Sequence, residues 1–139
     1  MSLASDANAR ATYFRDAVTS ASPAAALAML YDRLLMDLRW AEKQQDAGDW
    51  LSASRHLIHA QDILAELLGT LKPELWSGGP ALVSLYVYVA SILRTGNAWR
   101  EIGPTREAIE LLEPLRIAWR EAAATATPDS VLTRLSAVG

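Results

Sequence analysis

Apolar side chains recur along this chain at steps of three and four, the spacing of helices that each bury one face. The first such run opens at Ser22-Pro23, a residue able to cap a helix followed by one suited to the first helical position. Alanine, leucine and methionine follow without a glycine, all of them strong helix formers. Leu27, Leu30, Tyr31, Leu34, Leu38 and Ala41 share one face, and Asp46-Ala47-Gly48-Asp49 breaks the pattern, so a helix is expected from Pro23 to near Gly48. Asp49 is a plausible cap for a second helix from Trp50 to about Leu71, whose inward face is Leu57, Ala60, Leu64, Leu67, Leu68 and Leu71. Pro73 to Gly79 is a loop rich in turn residues. A third helix is expected from Pro80 to about Thr95, with Leu82, Leu85, Tyr86, Val89, Ile92 and Leu93 inward. Gly96-Asn97 is its expected end, since both residues tolerate left-handed geometry, and Ala98 to Gly103 is then a connector. Pro104 opens a fourth helix to about Ala124, with Ala108, Leu111, Leu112, Leu115, Ala118, Trp119 and Ala122 as its stripe and Pro114 as an expected bend.

Four amphipathic segments joined by short connectors, with almost no strand-like alternation, predict an all-α protein, an antiparallel four-helix bundle over residues 22–124. Residues 1–21, with Tyr13, Phe14 and Val18, are expected to form a mobile arm. Residues 125–139, with Val131, Leu132 and Leu135, are expected to form a tail carrying a short fifth helix. At 139 residues the chain is expected to be one domain, large enough to bury roughly two thirds of its unfolded surface.

A second apolar set lies off the main stripes: Met29, Met36, Trp40, Ile58, Val83, Val87, Ile109 and Ile117. Some of these residues are accounted for if the arm, the tail or the connectors cover them. Together they amount to more apolar surface than a monomer normally leaves bare, and methionine there suits an adaptable surface. The sequence therefore points to a helical module that receives an apolar peptide or helix.

Charge and chemistry narrow the alternatives. The net charge of −3 gives no electrostatic footprint for nucleic acid. The absence of cysteine removes disulfides, thiolate ligands and nucleophilic thiols. No apolar run approaches the ~20 residues that span a bilayer, and the first residues do not resemble a signal peptide, so a cytoplasmic protein without membrane insertion is expected. His56, His59 and Asp62 stand at spacings that could face one metal, but no glutamate-x-x-histidine pair repeats on another helix, and a solvated polar edge is the favoured reading. Asp32 has no second carboxylate or histidine placed beside it by sequence, which favours a hydrogen-bonding or surface role over that of a buried acid. Gly78-Gly79-Pro80 lacks the glycine spacing and the lysine of a phosphate loop. No catalytic residue, metal or other cofactor is expected.

Particular residues carry a family resemblance. Ala21-Ser22-Pro23 followed by Met29-Leu30-Tyr31-Asp32 resembles the flagellar secretion chaperone family FliS, as do Tyr13 and Val18 at ten and five residues before Pro23. The second helix is similar in Ala60-Gln61-Asp62-Ile63 and Glu66-Leu67, and the third in Leu85-Tyr86-X-Tyr88 leading to Asn97. The fourth is similar in Leu111-Leu112, Leu115-Arg116 and Ala118-Trp119. The likeness runs collinearly over about residues 13–122. Thr12, Trp99, the loop around Trp76 and the tail beyond Ala124 depart from it.

The resemblance implies a cytosolic export chaperone that binds the C-terminal segment of flagellin. It would block premature polymerisation and present the subunit to the export gate of the flagellar type III apparatus, without nucleotide; a co-chaperone or an anti-sigma factor are further partners to consider. Helical phase and the matched motifs together give the expected client-binding set: Tyr13, Val18, Met29, Tyr31, Met36, Trp40, Ile58, Gln61, Ala65, Val83, Val87 and Ala90. The arm is expected to cover part of this track when no client is bound. An adaptor or regulator of the same fold with a different amphipathic client is the alternative, and a small helical enzyme a third, requiring a polar pocket.

Overall fold

The computed structural model describes residues 23–71 and 77–125, and within them four helices: α1 (Pro23–Asp46), α2 (Trp50–Thr70), α3 (Gly79–Trp99) and α4 (Gly103–Thr125). The expected N-terminal arm, the loop around Trp76 and the expected fifth helix lie outside the described residues.

Local chemistry fixes the α1–α2 turn. Gly48 takes φ +78°, the Gly48 amide donates to the Gln45 carbonyl at 3.0 Å, and the Asp49 amide donates to the Gln44 carbonyl at 2.8 Å. This pair of bonds closes a helix on a left-handed glycine. Asp49 then caps α2, its Oδ1 accepting from the Ser52 amide at 3.2 Å. Three residues thus end one helix and start the next, which forces α1 and α2 to lie antiparallel.

The α3–α4 corner departs from the sequence expectation. α3 continues through Gly96 and Asn97 to Trp99, and the left-handed residue is Arg100, at φ 54°. Close packing explains the difference. A Cβ on Gly96 would stand 2.9 Å from Pro104 Cβ and 3.2 Å from the Glu101 carbonyl, so the glycine serves a tight approach of α4 to α3 rather than a helix end. Asn97 donates its side-chain amide to Ser54 Oγ on α2 at 3.0 Å, which also holds it in the helix. The connector shrinks to Arg100–Ile102, and Trp99 becomes the exposed last residue of α3. α4 runs without a break through Pro114; Pro114 and Glu110 are both exposed, so water can meet the carbonyl that loses its donor.

The helices form a ring. α1 packs closely on α2 and α4, α3 packs more thinly on the same two, and across the ring Tyr31 of α1 reaches Tyr86 of α3 in the core. Ion pairs show that α1 and α4 are antiparallel: Asp32 meets Arg116 and Arg120, Arg39 meets Glu113, and Glu42 meets Arg106. The core comprises the predicted stripes, centred on Leu30, Tyr31, Leu34 and Leu38 of α1, Leu57, Leu64 and Leu67 of α2, Tyr86, Val89 and Leu93 of α3, and Leu112 and Trp119 of α4. Ala53 and Ile63 of α2 are also buried, as is Leu35 on the α4 side of α1. Leu111 was expected inward and is instead exposed, on the side of α4 that carries Glu107 toward the thin α3 contact.

Two glycines should respond oppositely to the same change. Gly96→Ala is expected to lower the unfolding free energy in urea by about 1–3 kcal/mol through overpacking against Pro104. Gly69→Ala, where an added Cβ meets nothing within 4 Å, should raise it by up to about 1 kcal/mol through helix propensity.

Candidate functional site

Six of the twelve expected site residues meet along the seam between α2 and α3. On α2, Ile58, Gln61 and Ala65 continue the helical stripe of Ser54, four, seven and eleven residues on. On α3, Val83, Val87 and Ala90 precede Asn97 by fourteen, ten and seven residues, again on one side of the helix. The Asn97–Ser54 hydrogen bond joins these two stripes at one end, so by helical phase both lie beside the α2–α3 contact. Ile58 and Val87 are each 52% exposed, Ala65 is exposed, and Gln61, Val83 and Ala90 are half-buried. The track is apolar apart from Gln61, and it lies open.

Met29, Met36 and Trp40 lie elsewhere, on the outer face of α1. Met36 and Trp40 are exposed and Met29 is half-buried. Met36 and Trp40 border a groove of about 540 Å³ between α1 and α4, lined also by Asp32, Leu35, Arg39, Lys43, Arg116 and Arg120. Trp40 is held in place from both sides: its ring stacks on His56 at 6.3 Å, and Lys43 Nζ lies 5.3 Å from its centroid. Arg116 binds Glu113 at 2.6 Å and Asp32 at 3.2 Å; its bond, with a further one from Arg39, holds the Glu113 carboxyl below its ordinary value. Asp32 is thus an exposed, ion-paired acid. The exposed Arg55, Asp62 and Glu66 of α2 lie between the α1 patch and the α2–α3 seam. In the ring, the α1–α4 groove and the α2–α3 seam are on opposite faces.

Two expectations change. Tyr31 is fully buried and belongs to the core: its hydroxyl hydrogen-bonds that of Tyr86, and its ring packs 6.4 Å from Trp119, so it cannot contact a client at the surface. His56 and His59 neither share a site with Asp62 nor form a merely solvated edge. Both turn their Nδ1 atoms to the two carboxylate oxygens of Asp37, His56 at 3.0 Å, and Arg33 lies 3.5 Å from the same carboxylate. Asp37 is only 1% exposed, and this polar clasp between α1 and α2 was not legible by spacing because its acid is on the neighbouring helix. Tyr13 and Val18 lie outside the described residues. Among the described residues no group of three or more His, Asp or Glu is arranged to hold a metal ion, and no helix is long and apolar enough to cross a membrane.

A family model described as "Flagellar protein FliS" matches residues 6–126. The chain belongs to the FliS family. That membership makes it a flagellar export chaperone. Comparison with curated proteins gives no match. The FliS match covers all four helices, and the structure separates the motif residues by role. Tyr31, Tyr86, Leu112 and Trp119 build the core, whereas Gln61 stands on the open seam.

The buried tyrosine pair of this FliS bundle has a measurable signature. Burial, followed by the neighbouring Tyr86, raises the Tyr31 phenol well above its ordinary value, and burial pushes Tyr86 up to about 12. The fold therefore favours the neutral phenols. Their stabilisation is complete below pH 10 and is lost as pH climbs from there through the folded-state values. Urea titrations should show stability falling from pH 10 to about 12 more steeply than in the Tyr31→Phe/Tyr86→Phe double variant. At neutral pH, Tyr31→Phe alone should cost about 1–3 kcal/mol by leaving the Tyr86 hydroxyl unpaired, and adding Tyr86→Phe should recover much of that loss.

Proposed function

We propose that this chain holds the C-terminal segment of flagellin in the bacterial cytoplasm, prevents its premature polymerisation, and hands it to the export gate of the flagellar type III apparatus. The observation that carries the reading is the open apolar seam of Ile58, Ala65, Val83, Val87 and Ala90 on a FliS-family bundle. A disordered segment loses conformational freedom when it binds, so it needs a long apolar track to offset that cost. The seam runs along two helices and provides such a track. Gln61 offers the segment's backbone a donor and an acceptor in the middle of it. The work is stoichiometric masking, with no bond made or broken, and no catalytic residue or cofactor enters. A co-chaperone or an anti-sigma factor would meet the same bundle as a further partner.

The test mixes the full chain with a peptide from the C-terminal end of a flagellin and follows complex formation by size exclusion and calorimetry. A one-to-one complex is expected, and its absence would remove the reading. Ile58→Asp and Val87→Asp should each weaken binding about tenfold to a hundredfold, since each sets a charge on apolar surface the peptide must cover. Far-UV circular dichroism should not change, because both side chains are half outside the fold already. A cooperative loss of helix would instead assign these positions to the core.

A further inference from the structure

The α1–α4 groove differs in chemistry from the α2–α3 seam. Its floor is apolar, from Leu35, Met36 and the Trp40 indole. Its rim is cationic, from Arg39 and Lys43 on one helix and Arg116 and Arg120 on the other. Asp32 is the one acid among the described lining residues, and it and the neighbouring Glu113 are each already engaged by two arginines. Farther along the seam the balance reverses, with Arg106 matched by Glu42 and Asp46. A surplus of two positive charges thus surrounds an apolar floor on a chain whose net charge is −3.

From these features we infer that the groove docks an amphipathic helix with carboxylates beside its apolar stripe, from a partner other than the polypeptide held at the α2–α3 seam. Asp32 to Lys43 rises about 16 Å along α1, enough to seat about three turns of such a helix. Met36 and Trp40 receive its apolar side chains, and Lys43 and Arg120 stand where its carboxylates fall. Charge complementarity selects this occupant over the chain's own ends. Residues 1–22 hold two aspartates and two arginines, and residues 126–139 hold one of each, so neither end supplies a surplus of carboxylates. The groove and the seam face opposite ways, so both can be filled together.

The test uses the full chain and a fluorescein-labelled designed helix of about 15 residues, leucine on one face and glutamate on both flanks, beside a twin with lysine for glutamate. The glutamate helix is expected to bind at least about tenfold tighter than its twin, and to weaken as salt is raised. Lys43→Glu/Arg120→Glu should weaken it about tenfold or more while the flagellin peptide still binds, and saturating flagellin peptide should not displace it. Lys43→Glu alone, which breaks no ion pair among the described residues, gives the same direction should the double variant fold poorly. Equal binding of the twins, no binding, indifference to charge reversal, or displacement by the flagellin peptide would each overturn the inference. So would a dimer of the chain that Met36→Asp converts to monomer, since a second copy would then be the occupant. Binding of flagellin peptide without the designed helix removes this inference alone, and the converse removes only the reading of the seam.

Discussion

Each helix in a four-membered ring packs along two neighbours, so its buried face is confined to the arc between them. Here that arc holds Tyr31, Leu34 and Leu38 on α1, Leu57 and Leu64 on α2, Tyr86 and Leu93 on α3, and Leu112 and Trp119 on α4. Apolar side chains outside the arc have nowhere to go. Ile58, Val87, Met36 and Trp40 are exposed because the ring has no room for them. The exposed apolar surface is what remains after the core has been chosen, and it needs no device beyond helical phase to exist.

The two faces so created are held open in different ways. On the α2–α3 side, one hydrogen bond from Asn97 to Ser54 ties the helices at one end of the seam. On the α1–α4 side a line of arginine–carboxylate pairs runs almost the length of the contact, from Arg120–Asp32 to Arg106–Glu42. Exposed pairs of this kind contribute little to stability, typically under about 1 kcal/mol each. They do set register and polarity, so a partner on that face would meet fixed charges, whereas one on the other would meet apolar side chains and the Gln61 amide.

The fold was legible because each helix carries its own start signal and its own stripe. Pro23, Asp49 and Pro104 stand within a residue of the helix starts, and Gly48 marks an end through backbone geometry that sequence chemistry anticipates. Reading failed where a residue answers to another helix. Gly96 looks like a terminator and is a packing residue, because Pro104 presses on it. Tyr31 sits in a family motif and is still core, since its hydroxyl has a buried partner on α3. His56 and His59 carry metal-like spacing, and their acid is Asp37 on α1. The off-stripe residues were legible as exposed apolar surface, but their division into two opposed faces depends on ring order, which no single helix encodes.

The uneven packing of the ring has a kinetic side. α1 is gripped along both flanks, while α3 is held loosely by both neighbours, and local opening is least costly where contacts are few. α3 is thus the stave most ready to swing outward, ahead of any general melting. The seam it shares with α2 is then where the bundle yields first, with the Asn97–Ser54 bond as its tether at one end.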